Sequence, residues 1–144
     1  MTALDAQPPG HAAGIGEDMI RTLVEAFYAR VRSDEELGPI FEAAITDWPA
    51  HLSKLCDFWS SVLLMSGRFK GAPMRTHALL PRLEGRHFDR WLEIFSATAK
   101  ATCPPDAAEM FVDRAHRIAH ALEHGIAVHR GQPLRAHASG EDAR

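Results

Sequence analysis

At 144 residues and 15.9 kDa, 46% hydrophobic and 24% charged, the chain has the size and balance of one domain, with no room for a second. Sixteen Lys and Arg against 19 Asp and Glu leave a formal charge of -3 and a pI near 6.3, which excludes nucleic acid as the main partner. Charges interrupt the apolar residues throughout, so the run of roughly 20 that spans a bilayer and the apolar core of a signal peptide are both missing, and a cytoplasmic protein is expected.

Residues 1–15 are rich in Ala, Gly and Pro without an apolar period and read as a disordered arm. Residues 131–144 read as a flexible tail, leaving a domain over 16–130. Within it the apolar period is helical and no β-branched runs bounded by turns occur, so an all-α fold is expected. The first helix opens at Glu17 and Asp18, buries Ile20, Leu23, Val24, Phe27 and Val31, and carries Tyr28 on the edge of that stripe. Ser33 and Asp34 end it and cap a short turn, which Gly38 and Pro39 are expected to break before Ile40 and Phe41. Asp47 as cap and Pro49 in the first turn start a second long helix that runs to about Met65, with Trp48, Leu52, Leu55, Trp59 and Val62 along one side. From Gly67 to Gly85 glycines and prolines leave room for about two helical turns around Met74 to Leu80, with His77 inside them. A helix resumes near Glu84, turning Phe88, Trp91, Leu92, Phe95 and Ala99 to one face, and stops at Pro104-Pro105. The last begins near Asp106 and buries Phe111, Ala115, Ile118, Leu122 and Ile126.

Cys56 and Cys103 lie far apart without a Cys-x-x-Cys partner and are expected as buried thiols rather than a disulfide or a zinc site. The nine histidines are the compositional oddity. His51 lies about 40° from Leu55 on its helix and close to the line of Phe58 and Val62, so an imidazole points among apolar neighbours. Taken alone it reads as a core histidine bonded to a carbonyl. His77 sits in a short element pinned by Pro73 and Pro81; a neutral imidazole held in one orientation suits a transition metal or haem iron, although a lone histidine between prolines is commonly a surface residue. Tyr28, Trp59 and Trp91 bring polar handles onto core-facing stripes of different helices, and sharing one interior with two histidines is costly unless they converge on something polar. His116, His120 and His124 stack at four-residue spacing, which can chelate a divalent metal, but they lie opposite the Phe111/Ile118/Leu122 stripe on a solvated face.

The segments Phe27-Tyr28-Ala29-Arg30-Val31-Arg32, Leu37-Gly38-Pro39-Ile40-Phe41, Trp48-Pro49-Ala50-His51, Phe58-Trp59, Gly71-Ala72-Pro73-Met74-Arg75-Thr76-His77 and His87-Phe88-Asp89-Arg90-Trp91-Leu92 stand in the order found in truncated haemoglobins. Over about residues 17 to 128 the chain resembles their third group, also in lacking the Gly-Gly pairs of other truncated globins. The resemblance implies a two-over-two helical sandwich around haem b, His77 as the iron ligand, and Tyr28, His51, Leu55 and Trp91 around the ligand-binding side. Phe41, Phe58, Met74, Leu80, Phe88 and Phe95 are the further apolar residues expected against the cofactor. Arg68, Lys70 and Arg75, which border the short segment around His77, are the basic candidates for its propionates. The chain departs from the family at Met65, where glycine is frequent, at Phe69, where tyrosine is usual, and in the linker Leu83-Glu84-Gly85-Arg86.

A neutral His77 would leave one axial position open, and phenol and indole donors aimed at a ligand there, Tyr28 and Trp91, form strengthened hydrogen bonds in a dry pocket. Slow oxygen release follows, so the expected function is redox chemistry on, or sensing of, a small diatomic ligand (O2, NO or CO) rather than oxygen transport. A peroxidase-like or nitric oxide dioxygenase-like activity is compatible with such a polar cavity, with His51 as a gate and a reductase as electron donor. Two competing readings are a cofactor-free helical interaction module, which would be colourless, and a divalent-metal binder using His116, His120 and His124.

Overall fold

The computed structural model describes residues 8–70 and 84–131. Among these, six helices and no strand occur: α1 Pro9–Ala12, α2 Glu17–Ser33, α3 Leu37–Ala44, α4 Trp48–Leu64, α5 Gly85–Thr102 and α6 Pro105–Arg130. The period of apolar residues is what makes this an all-α fold. In α2, Ile20, Leu23, Val24, Phe27 and Val31 are each at most 1% exposed, and Tyr28 turns inward with them.

Helix α2 packs on α4 and also on α5, while α5 packs along α6 after a connection of only Cys103 and Pro104. The α2/α4 and α5/α6 pairs are thus brought together as the two layers of a sandwich. Between them Phe95 lies flat against Trp59 at 5.4 Å and 14° and against Trp91 at 5.5 Å and 12°, with Phe27 edge-on at 5.0 Å.

Three local expectations are corrected. The arm expected over residues 1–15 does not reach Ile15, because Pro9–Ala12 forms a helical turn on α4 and Ile15 is 3% exposed. Gly10 permits this, since a Cβ there would come within 2.8 Å of the Leu63 carbonyl oxygen. Gly38 and Pro39 do not break α3 but form its first turn, where the missing proline N–H is not needed; a Cβ on Gly38 would meet the Arg32 carbonyl at 2.5 Å. Of the cysteines, Cys56 is buried but Cys103 only half-buried, and burial pushes both thiols above their ordinary pKa. Residues 1–7 and 132–144, the rest of the expected arm and all but Gly131 of the expected tail, lie outside the described residues.

Asp34 ties the α2–α3 corner to α5. Its Oδ2 accepts from the backbone N–H groups of Glu36 at 3.1 Å and Leu37 at 2.9 Å, while its Oδ1 accepts from Arg90 Nε at 2.9 Å. Burial raises the carboxyl pKa, but Arg90 and the two backbone donors outweigh it and hold the group below its usual range.

Asp47 caps α4 by accepting from the Ala50 N–H at 3.1 Å. At the other end Met65 closes the helix with φ 57° and is 70% exposed, so the residue that replaces the frequent glycine occupies a left-handed position. That conformation costs a non-glycine residue about 1–2 kcal/mol, against roughly 0.5–1 kcal/mol of extra chain entropy lost by glycine. Met65→Gly is therefore expected to stabilise the fold by about 0.5–1 kcal/mol, read as a higher urea midpoint; an unchanged or lower midpoint would refute strain at this position.

Candidate functional site: an aromatic cleft with buried donors

The spacing of α2 places Tyr28 one residue beyond Phe27, so its ring leaves the main stripe and meets the first turn of α4. There it stands 5.8 Å from His51 at 89° and 6.0 Å from Trp48. His51 Nε2 is shielded from solvent. From the opposite layer the Trp91 indole comes close enough to the Tyr28 phenol to favour its charged form. Burial is the larger influence on that phenol and pushes its pKa up to about 12, with Trp91 pulling the other way. Tyr28 is therefore a neutral donor across the physiological range. Its O–H can turn toward an acceptor placed beside it.

Trp91 also lines a narrow cleft, partly open to solvent, with Leu37, Phe41, His87, Phe88, Ala119 and Leu122. The walls come from α3, α5 and α6. All of them but the Trp91 and His87 rings are purely apolar. His87 is 4% exposed, and its Nδ1 accepts from the Glu84 N–H at 2.9 Å as half of a capping box at the start of α5. In the neutral ring the proton then sits on Nε2, which makes that nitrogen a donor. An apolar slot with a few polar atoms is a suitable wall for a flat, largely hydrophobic ring system such as haem.

The expected site residues are distributed as follows. Tyr28, His51 and Trp91 come together, and Phe41, Phe88 and Trp91 share the cleft. Leu55 is half-buried against the core beside them on α4. Phe58 packs edge-on against Trp59 and Phe69, and Phe95 is enclosed by Trp59 and Trp91. Arg68 pairs with Glu17 at the start of α2, at 3.3 Å. His77, Met74, Leu80 and Arg75 lie outside the described residues. On α6, His116, His120 and His124 are exposed, and among the described residues no three His, Cys, Asp or Glu side chains are grouped to hold a metal ion.

Two contributions escaped the sequence reading. His87 was assigned no role, although the spacing Glu84-x-x-His87 ahead of an apolar run is a recognisable helix-start pattern. Trp48 read only as a stripe residue, yet its ring stands 5.7 Å from His51 and forms a wall of the donor cluster.

Two packed helix pairs, with a buried phenol between them and an aromatic cleft walled by α3, α5 and α6 beside it, are the arrangement of a globin of the short, two-over-two type. A family model for bacterial-like globins matches residues 12–124, and the chain belongs to that family as a group III truncated haemoglobin. It is 34% identical over 109 residues to the Group 3 truncated hemoglobin ctb of Campylobacter jejuni, covering 73% of this chain and 86% of that protein. The crystal structure of the group III truncated hemoglobin from Campylobacter jejuni superposes with a TM-score of 0.73 at 33% identity, over 78% of this chain and 91% of that one. Membership implies haem-based binding of a small ligand.

Proposed function

We propose that the chain holds haem b through His77 and uses Tyr28 and Trp91 to retain a small diatomic ligand, for redox chemistry or sensing rather than for oxygen transport. The observation that carries this reading is the buried, neutral Tyr28 phenol, set between His51 and Trp91 beside the cleft. Bound haem would supply iron chemistry able to take up O2, NO or CO. The protein's part is to meet that ligand with a phenol O–H and an indole N–H fixed in advance and shielded from water, where such bonds are stronger than in solvent. Donors that hold a ligand this firmly oppose rapid unloading, which is what a carrier needs. They also polarise an O–O bond, which fits turnover of nitric oxide or peroxide with electrons from a reductase. His51, edge-on to Tyr28, is suited to gate access to the pair.

The test is a haemin titration of the purified full-length chain. The parent protein is expected to develop an intense Soret band, His77→Ala to lose it or bind haem far more weakly, and His116→Ala to behave as the parent. A parent protein that takes up no haem, or a His77→Ala variant that binds it equally well, would overturn the reading. No helix among the described residues is long and apolar enough to cross a membrane.

A further inference from the structure

Outside the cluster of donors, two side chains from successive helices, α2 and α3, converge on one indole of α4. Glu42 at the end of α3 accepts from Trp48 Nε1 at 3.1 Å through Oε1 and from Arg32 Nε at 2.8 Å through Oε2. Arg32, near the end of α2, lays its guanidinium over the Trp48 ring at 4.4 Å. The indole is thus held at its edge by a carboxylate and on its face by the cation paired with that same carboxylate. Trp48 is 7% exposed, whereas the Arg32 and Glu42 side chains are 43% and 44% exposed. An exposed ion pair by itself fixes little. Here, however, both of its members also grip a buried ring, so holding one contact holds the others.

The inner side of that ring faces the donor cluster. Trp48 stands perpendicular to His51 at 5.7 Å, and both stand against Tyr28, at 6.0 and 5.8 Å. His51 lies one turn after Trp48 on α4, so the clamped indole is a direct neighbour of its ring. We infer that Glu42 and Arg32 are positioning residues that clamp Trp48 and thereby set the ring position of His51 beside Tyr28. The consequence for ligand access rests on the reading of His51 as a gate; the consequence for the His51 ring does not.

The test uses the haem-loaded ferrous protein, with carbon monoxide as the probe ligand. Glu42→Ala is expected to shift the His51 ring resonances in the carbon monoxide complex. It should also accelerate carbon monoxide association on the order of three- to tenfold, a typical size for coupling between contacting groups. Glu42→Gln, which keeps an acceptor for the indole N–H but loses the charge, should fall between the parent and the alanine variant. In a His51→Leu background Glu42→Ala should leave association unchanged, because the clamp acts through that ring. Unshifted His51 resonances in Glu42→Ala, or an equal acceleration with and without His51, would overturn the inference. If His51→Leu alone leaves association unaltered while Glu42→Ala still moves the His51 resonances, the gate reading falls and the clamp stands. Glu42 is exposed at the end of a helix, so its replacement leaves the core packing intact.

Discussion

Oxygen should leave the haem-loaded Tyr28→Phe protein roughly fivefold to 150-fold faster than the parent, the range set by losing one hydrogen bond of about 1 to 3 kcal/mol. The phenol carries the larger share because it is buried beside His51, whereas Trp91 is only half-buried. With its pKa near 12 the group stays protonated, so the acceleration should be the same at pH 6 and pH 9. Trp91→Phe should also speed release, since the ring that orients the phenol is altered and its N–H is gone. The two effects should not add in the double variant, because the side chains touch. Stopped-flow dissociation measures all of this. Parent-like rates in both single variants would remove Tyr28 and Trp91 from their proposed role.

A second large effect is expected at Phe95. Its ring is 1% exposed and lies parallel to both Trp59 and Trp91, with Phe27 at its edge. Phe95→Ala removes the filling between two indoles and should cost about 3–5 kcal/mol of stability in urea unfolding, whereas Phe95→Leu should cost clearly less. Because Trp91 loses its stacking partner, the alanine variant should also release oxygen faster than the parent under conditions where it remains folded. A loss below about 1 kcal/mol would contradict the packing described for this ring.

Much of the candidate site was legible before any coordinates because helical spacing places residues on faces. His51 follows Leu55, Phe58 and Val62 inward by angle alone, and Tyr28 follows Phe27. Helix ends were legible too, from Glu17 and Asp18 at the start of α2 and from Asp47 and Pro49 at the start of α4. Glycine and proline misled at residues 8–15, read as part of a disordered arm, and at Gly38-Pro39, read as a break, whereas Pro104-Pro105 does follow the end of α5. Gly10 and Gly38 are there for close approach to the Leu63 and Arg32 carbonyls, and approach depends on a surface that is distant or bent back in the chain.

What the sequence determined alone is the four long helices and the inward or outward sense of their side chains, since both follow from periodicity and caps within about twenty residues. Tertiary structure decided which of those inward groups meet. Trp91 reaches Tyr28 across 63 positions of chain, Arg90 reaches Asp34, and Arg32, Glu42 and Trp48 close on one another around two turns. No local pattern encodes such pairings, because a hydrogen bond between elements depends on how the helix pairs stack, and that is settled by filling the shared core rather than by any one segment.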